Sequence, residues 1–178
     1  MLRQQRTLET LRDTSEHLFY EFWMFNSLAQ AMASGIFGQG ALNNAALESF
    51  TLHARTLLDF LYAQKSQADD VIAEDYFDQP SQWLTVRPEK TETLNAIHKR
   101  VGKEVAHLTY VRLDVTAEAK QWPFIQIYYE IITVFNAFLN NVAKNRLGSD
   151  FLVYLQGTKT QEKIEINGFK QTLPTNIQ

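Results

Sequence analysis

The stretch PFIQIYYEIITVFNAFLNNVAKNRLG, residues 123–148, decides the fold class. Phe124, Ile127, Tyr128, Ile131, Phe135, Phe138 and Val142 recur mostly at steps of three and four, which gives a helix one buried face. Pro123 suits a first helical position, where its missing N–H would have no partner anyway. Arg146-Leu147-Gly148 then supplies the basic-then-glycine ending that helix C-termini favour.

Three segments upstream have the same period. Leu11, Leu18, Phe22, Phe25, Ala29 and Met32 mark one face of a long first helix, which Ser34-Gly35 and Gly38-Gln39-Gly40 break. Tyr20, Trp23 and Met24 make its other faces apolar as well, so it is central in the domain or lies at a subunit interface. A second helix runs from about Ala41 to Lys65, with Leu47, Phe50, Ala54, Leu57, Leu58 and Leu61 facing the core. Glu48, Arg55, Asp59 and Tyr62 cluster opposite, and Arg55 and Asp59 are four apart, within pairing distance. A third begins at Thr91, whose hydroxyl suits a cap, and carries Leu94, Ile97, Val101, Val105 and Leu108 on its stripe towards Tyr110.

Between the second and third helices, from Ser66 to Lys90, the period fails. Asp69, Asp70, Glu74, Asp75 and Asp78 have no Lys or Arg among them, and Pro80 and Pro88 bar a continuous helix. A long connection with one helical turn at most is expected there. Asp150 to Leu155 is a short apolar run of ambiguous type, and Asn167-Gly168 suggests a marginal turn between short flanks. The expectation is an all-α protein: a four-helix up-down bundle over residues 1–156 and a loosely ordered tail over 157–178.

Bulk composition narrows the function. The 178 residues are 45% hydrophobic and 21% charged, as in an ordinary single globular domain. A formal charge of −3 argues against tight nonspecific binding to long nucleic acid, though not against brief contact with RNA. The absence of cysteine removes disulfides, thiolate metal sites and cysteine nucleophiles. No stretch approaches the roughly 20 apolar residues of a membrane span, so no membrane partner and a cytoplasmic location are expected.

The candidate chemistry sits on the third helix. At about 100° per residue, seven steps return near the starting angle, so Arg100 and His107 share a stripe with Glu104 one turn from each. In metal-free RNA cleavage a base takes the ribose 2′-hydroxyl proton, an acid protonates the leaving 5′-oxygen, and a cation steadies the phosphate. Imidazole suits the proton transfers and guanidinium the phosphate.

The segment Arg100-Val101-Gly102-Lys103-Glu104-Val105-Ala106-His107, set late in a helical bundle, resembles the HEPN superfamily, in which four to six residues stand between Arg and His; six stand between them here. The likeness covers roughly Leu8 to Arg146; where the family often has a polar residue after the Arg, Val101 stands here. The resemblance implies a metal-independent endoribonuclease of a toxin–antitoxin or antiphage system, with Arg100 and His107 catalytic; Glu104, one turn away, is then expected to orient His107. It also implies a homodimer that brings two sites together, an RNA substrate, and an antitoxin-like protein as partner.

Other readings of the same residues stay open. Arg100, Glu104 and His107 also make an ordinary solvated face with one-turn contacts. On that reading the chain is a non-enzymatic, catalytically silent interaction module. His98 lies on the arc of Leu94 and Val101 and His53 beside Phe50 and Leu57, so both are expected as satisfied core histidines, while His17 is expected at the surface. Only if His53 and His98 faced a cavity would a ligand inside the bundle be implied. No cofactor or metal is expected: Glu104-x-x-His107 is a single Glu-x-x-His pair, and Glu48 and His53 diverge on the helix wheel.

Overall fold

The Thr7 hydroxyl accepts from the Thr10 amide at 3.1 Å and starts the first helix, α1, which runs over Leu8–Ala33. The computed structural model describes residues 5–63, 66–105, 110–113, 116 and 121–162, with the side chains at 111, 112 and 158–162 left out. Among these residues it is all-helical, without a strand: α2 spans Ala41–Leu61, α3 Pro80–Val86, α4 Glu92–Arg100, α5 Phe124–Asn141 and α6 Ser149–Glu162. No described helix is long and apolar enough to cross a membrane.

Aromatic pairs fix how the long helices pack. Phe25 stacks on Phe50 at 4.8 Å and His53 meets Glu21, so α1 and α2 run antiparallel. Phe22 stacks on Phe135 at 4.5 Å and Phe25 on Tyr128, which sets α5 antiparallel to α1. Phe50 against Phe124 and Phe60 against Phe138 make α2 and α5 parallel neighbours. Helix α4 lies antiparallel to α5, through Thr91 with Glu130 and Thr93 with Gln126. Phe22, Phe25, Phe50, Phe135 and Phe138 are all buried, each worth roughly 1.5–3 kcal/mol when removed from water.

The expected four elements are joined by two more. Within the connection, Ala73–Tyr76 forms a 3₁₀ turn, and Pro80 opens the two-turn α3. Its buried residue, Trp83, donates its indole N–H to the Leu61 carbonyl at 3.0 Å. The Tyr76 hydroxyl bonds the Leu11 carbonyl at 3.0 Å and the Thr14 hydroxyl at 3.0 Å. The connection is therefore anchored through single large side chains, with no repeating stripe.

The ambiguous run at 150–155 is helical: α6 seats Phe151 against Phe19 and Phe22 and continues through Glu162, past the expected boundary at 156. Residues 163–178, with the Asn167-Gly168 turn, lie outside the described residues. Helix α5 stops at Asn141, earlier than the Arg146-Gly148 ending expected for it. Val142 is extended (φ −71°, ψ 140°), and a 3₁₀ turn over Lys144–Arg146 lets both Val142 and Leu147 reach the core. Phe22 and Phe25 are covered within one chain, while Tyr20 and Trp23 stay about half exposed on the outer face of α1.

Candidate functional site

Helix α4 begins as its sequence directs, with the Thr91 hydroxyl accepting from the Leu94 amide at 3.2 Å, and it buries Leu94 and Ile97. After Arg100 the α geometry ends. Val101–Val105 form a π turn, with Val101 buried and Gly102 beside α2. The angular argument that put Arg100 and His107 on one stripe assumes continuous α geometry, which does not hold over 101–105. His107 itself lies outside the described residues.

Arg100 and Glu104 form a two-pronged pair. Nε donates to Oε1 and Nη2 to Oε2, both at 2.9 Å, and the side chains are only 24% and 18% exposed. Arg100 Nη1 reaches the Gln121 carbonyl at 3.4 Å, and the guanidinium carbon stands 4.1 Å from the centre of the Trp122 ring. The end of α4 is thereby clamped to the segment that leads into α5. Both Glu104 oxygens accept from Arg100, so in this state its charge serves the guanidinium.

The opposite flank of α4 meets α2 in a polar seam. His98 Nε2 lies 2.6 Å from Asp59 Oδ1, and Arg55 Nε stands 3.6 Å from Asp59 Oδ2. The Arg55 guanidinium comes within 3.6 Å of where a Cβ on Gly102 would stand. One turn further along α2, Tyr62 carries Arg87 at 4.8 Å and Lys90 at 5.5 Å over its ring, and its hydroxyl donates to the Pro88 carbonyl. Burial lowers the Lys90 pKa; nearby Asp59 opposes that shift and Arg87 adds to it. Burial also raises the Tyr62 pKa.

This seam forms one wall of a groove of about 780 Å³ that passes over α2 to α1. Arg55, Asp59, Lys90 and His98 line one side, and His17 and Glu21 the other. Glu21 is held by His53 Nδ1 at 2.6 Å. His53 is thus a satisfied, mostly buried histidine and His17 is exposed, as expected. His98 is not in the core: it is 42% exposed, because Asp59 reaches it at the margin of the apolar arc. Tyr62, expected at the surface with Arg55 and Asp59, is buried beneath Arg87 and Lys90. The Arg55–Asp59 pair was visible from its spacing of four, whereas its junction with His98 and Lys90 depends on how two helices pack. Among the described residues no cluster of His, Asp and Glu could hold a metal ion.

No protein-family model matches this chain, and no curated protein or solved structure is significantly similar to it.

Proposed function

We propose that the chain is a HEPN-like, metal-independent endoribonuclease, in which α1, α2, α4 and α5 form the up-down bundle. The observation that carries this reading is the π turn over Val101–Val105, in the segment that holds Arg100, Glu104 and His107. Such turns are rare and occur frequently at functional sites. A solvated helix face could continue as regular α-helix and has no use for one. In the proposed reaction His107 moves the proton, the ribose 2′-oxygen bonds to phosphorus, and the bond from phosphorus to the 5′-oxygen breaks as that oxygen is protonated. Arg100 steadies the phosphate, which displaces Glu104 as its partner. The reading predicts that purified protein cuts single-stranded RNA in EDTA, and that His107→Ala abolishes cutting with the melting temperature unchanged. Equal cutting by that variant overturns the assignment.

The Arg100–Glu104 fork favours a second reading, because a guanidinium whose Nε and Nη2 are both held by one carboxylate, and whose Nη1 reaches a carbonyl, is a poor anion site. On this reading the bundle is a catalytically silent interaction module, and the half-exposed Tyr20 and Trp23 contact a second copy or an antitoxin-like protein. It predicts no RNA turnover and a change in sedimentation for Trp23→Ala.

A further inference from the structure

We infer that the seam between α2 and α4 is a docking track for the backbone of single-stranded RNA, with Arg55 and Lys90 as its phosphate contacts; this rests on the ribonuclease reading. The two basic groups and His98 follow successive stations along one helix: Arg55 itself, then His98 at Asp59, then Lys90 over Tyr62. At 1.5 Å of rise per residue the stations lie about 6 and about 4.5 Å apart along the axis, a linear row one side chain wide that suits one strand. At one end the Arg55 guanidinium stands 3.6 Å from where a Cβ on Gly102 of the π turn would be, so a strand on the seam leads to the segment that carries Arg100 and His107.

The charges facing the row leave room for an anion. Asp59 is shared between Arg55 and His98, and across the groove Glu21 is held by His53. Asp70 also lines the groove, and Glu130 acts on Tyr62 from the α5 side. Among the described residues no carboxylate lies within ion-pair distance of Lys90. Its ammonium is partly buried against a ring and another cation, so an arriving phosphate relieves a cost that burial imposes. A net charge of −3 fits a short local contact of this kind better than a broad basic face.

The test uses the full chain and a fluorescent 2′-O-methyl oligouridylate, which lacks the nucleophilic hydroxyl and so reports binding alone. Anisotropy is followed as salt is raised. Two phosphate contacts give a slope of log K against log salt of about −1.4, and Lys90→Gln or Arg55→Gln removes about 0.7 of it and weakens low-salt binding about five-fold. Lys99→Gln, exposed on α4 off the seam, serves as the control and leaves the slope in place. No binding at low salt, or slopes unchanged in both Lys90→Gln and Arg55→Gln, overturns the track. Cleavage of the matching ribo-oligonucleotide in EDTA is scored separately. Cutting with unchanged slopes sinks the track and spares the ribonuclease reading; reduced slopes without cutting do the reverse. Melting curves of each variant show that the fold is retained.

Discussion

The Arg100–Glu104 fork sets up a test that separates its structural role from its chemical one. Remove each partner singly and together, as Arg100→Ala, Glu104→Ala and the double variant, and measure stability by urea denaturation followed by circular dichroism. An exposed pair at this spacing contributes about 0.3–0.5 kcal/mol, whereas a hydrogen bond to a charged group away from water contributes about 1.5–3 kcal/mol. Here two such bonds of 2.9 Å join groups only 24% and 18% exposed, so the coupling falls between those limits, at about 2 kcal/mol. Burial protects it from screening, and raising salt to about 0.5 M removes less than half. Arg100→Ala costs more than Glu104→Ala, because only it also loses the stacking on Trp122, about 0.5–1 kcal/mol. A coupling below about 0.5 kcal/mol would refute this reasoning and return the pair to an ordinary solvated face. Glu104→Gln then addresses chemistry. If phosphate competes with Glu104 for Arg100, this variant binds a 2′-O-methyl oligonucleotide more tightly than the parent; if the fork is a structural clamp alone, affinity stays level.

Three further outcomes follow from the packing. Tyr76, with its pKa pushed up to about 12 by burial against an ordinary 10.0, stays protonated in the folded chain while the unfolded chain ionises. Its stabilisation is complete below pH 10 and is lost as pH rises through about 12, a fall of about 3 kcal/mol that Tyr76→Phe removes from the pH–stability curve. Trp83→Ala, which empties a fully buried site and frees one bond to the Leu61 carbonyl, lowers unfolding free energy by about 3–5 kcal/mol in denaturant titration. Gly148→Ala sets a Cβ 1.9 Å from Glu16 Oε1 and 3.0 Å from the Arg12 carbonyl; the carboxylate swings off the start of α6 at a cost of about 1 kcal/mol, most of which disappears in a Glu16→Ala background.

Helices α1, α2, α4 and α5 were legible because each buries a stripe that repeats along the chain, and the Thr91 cap was legible from one hydroxyl ahead of that stripe. Helix α3 was not, since two turns with one buried residue, Trp83, make no period. Helix α6 was ambiguous for a related reason: Phe151 is the only buried side chain over the described part of a helix that lies on the outside of α1. In the candidate site the Arg100–Glu104 pair could be anticipated from its spacing, but Trp122 beneath it comes from a separate segment. His98 was misjudged because a helix wheel gives angle alone. Its position beside Leu94 and Val101 reads as core until Asp59 of α2 is placed against it.

That placement divides the chemistry of α4 in two. The buried line of Leu94, Ile97 and Val101 runs down its middle, with His98 on the flank facing α2 and Arg100 on the flank facing Gln121 and Trp122. Positions 98 and 100 are two steps apart and so stand about 200° apart on a regular helix, and no extension of α-helix could turn both groups into one cleft. The π turn alters this bookkeeping. Its i→i+5 bonding adds a residue to the turn, so the α period that would set Arg100 and His107 on one stripe does not carry across Val101–Val105. The turn packs against Arg55 at Gly102 and includes Glu104, the partner of Arg100. Among the described residues it therefore touches both flanks of α4, and the chemistry proposed for this chain depends on that junction more than on the spacing of Arg and His in the sequence.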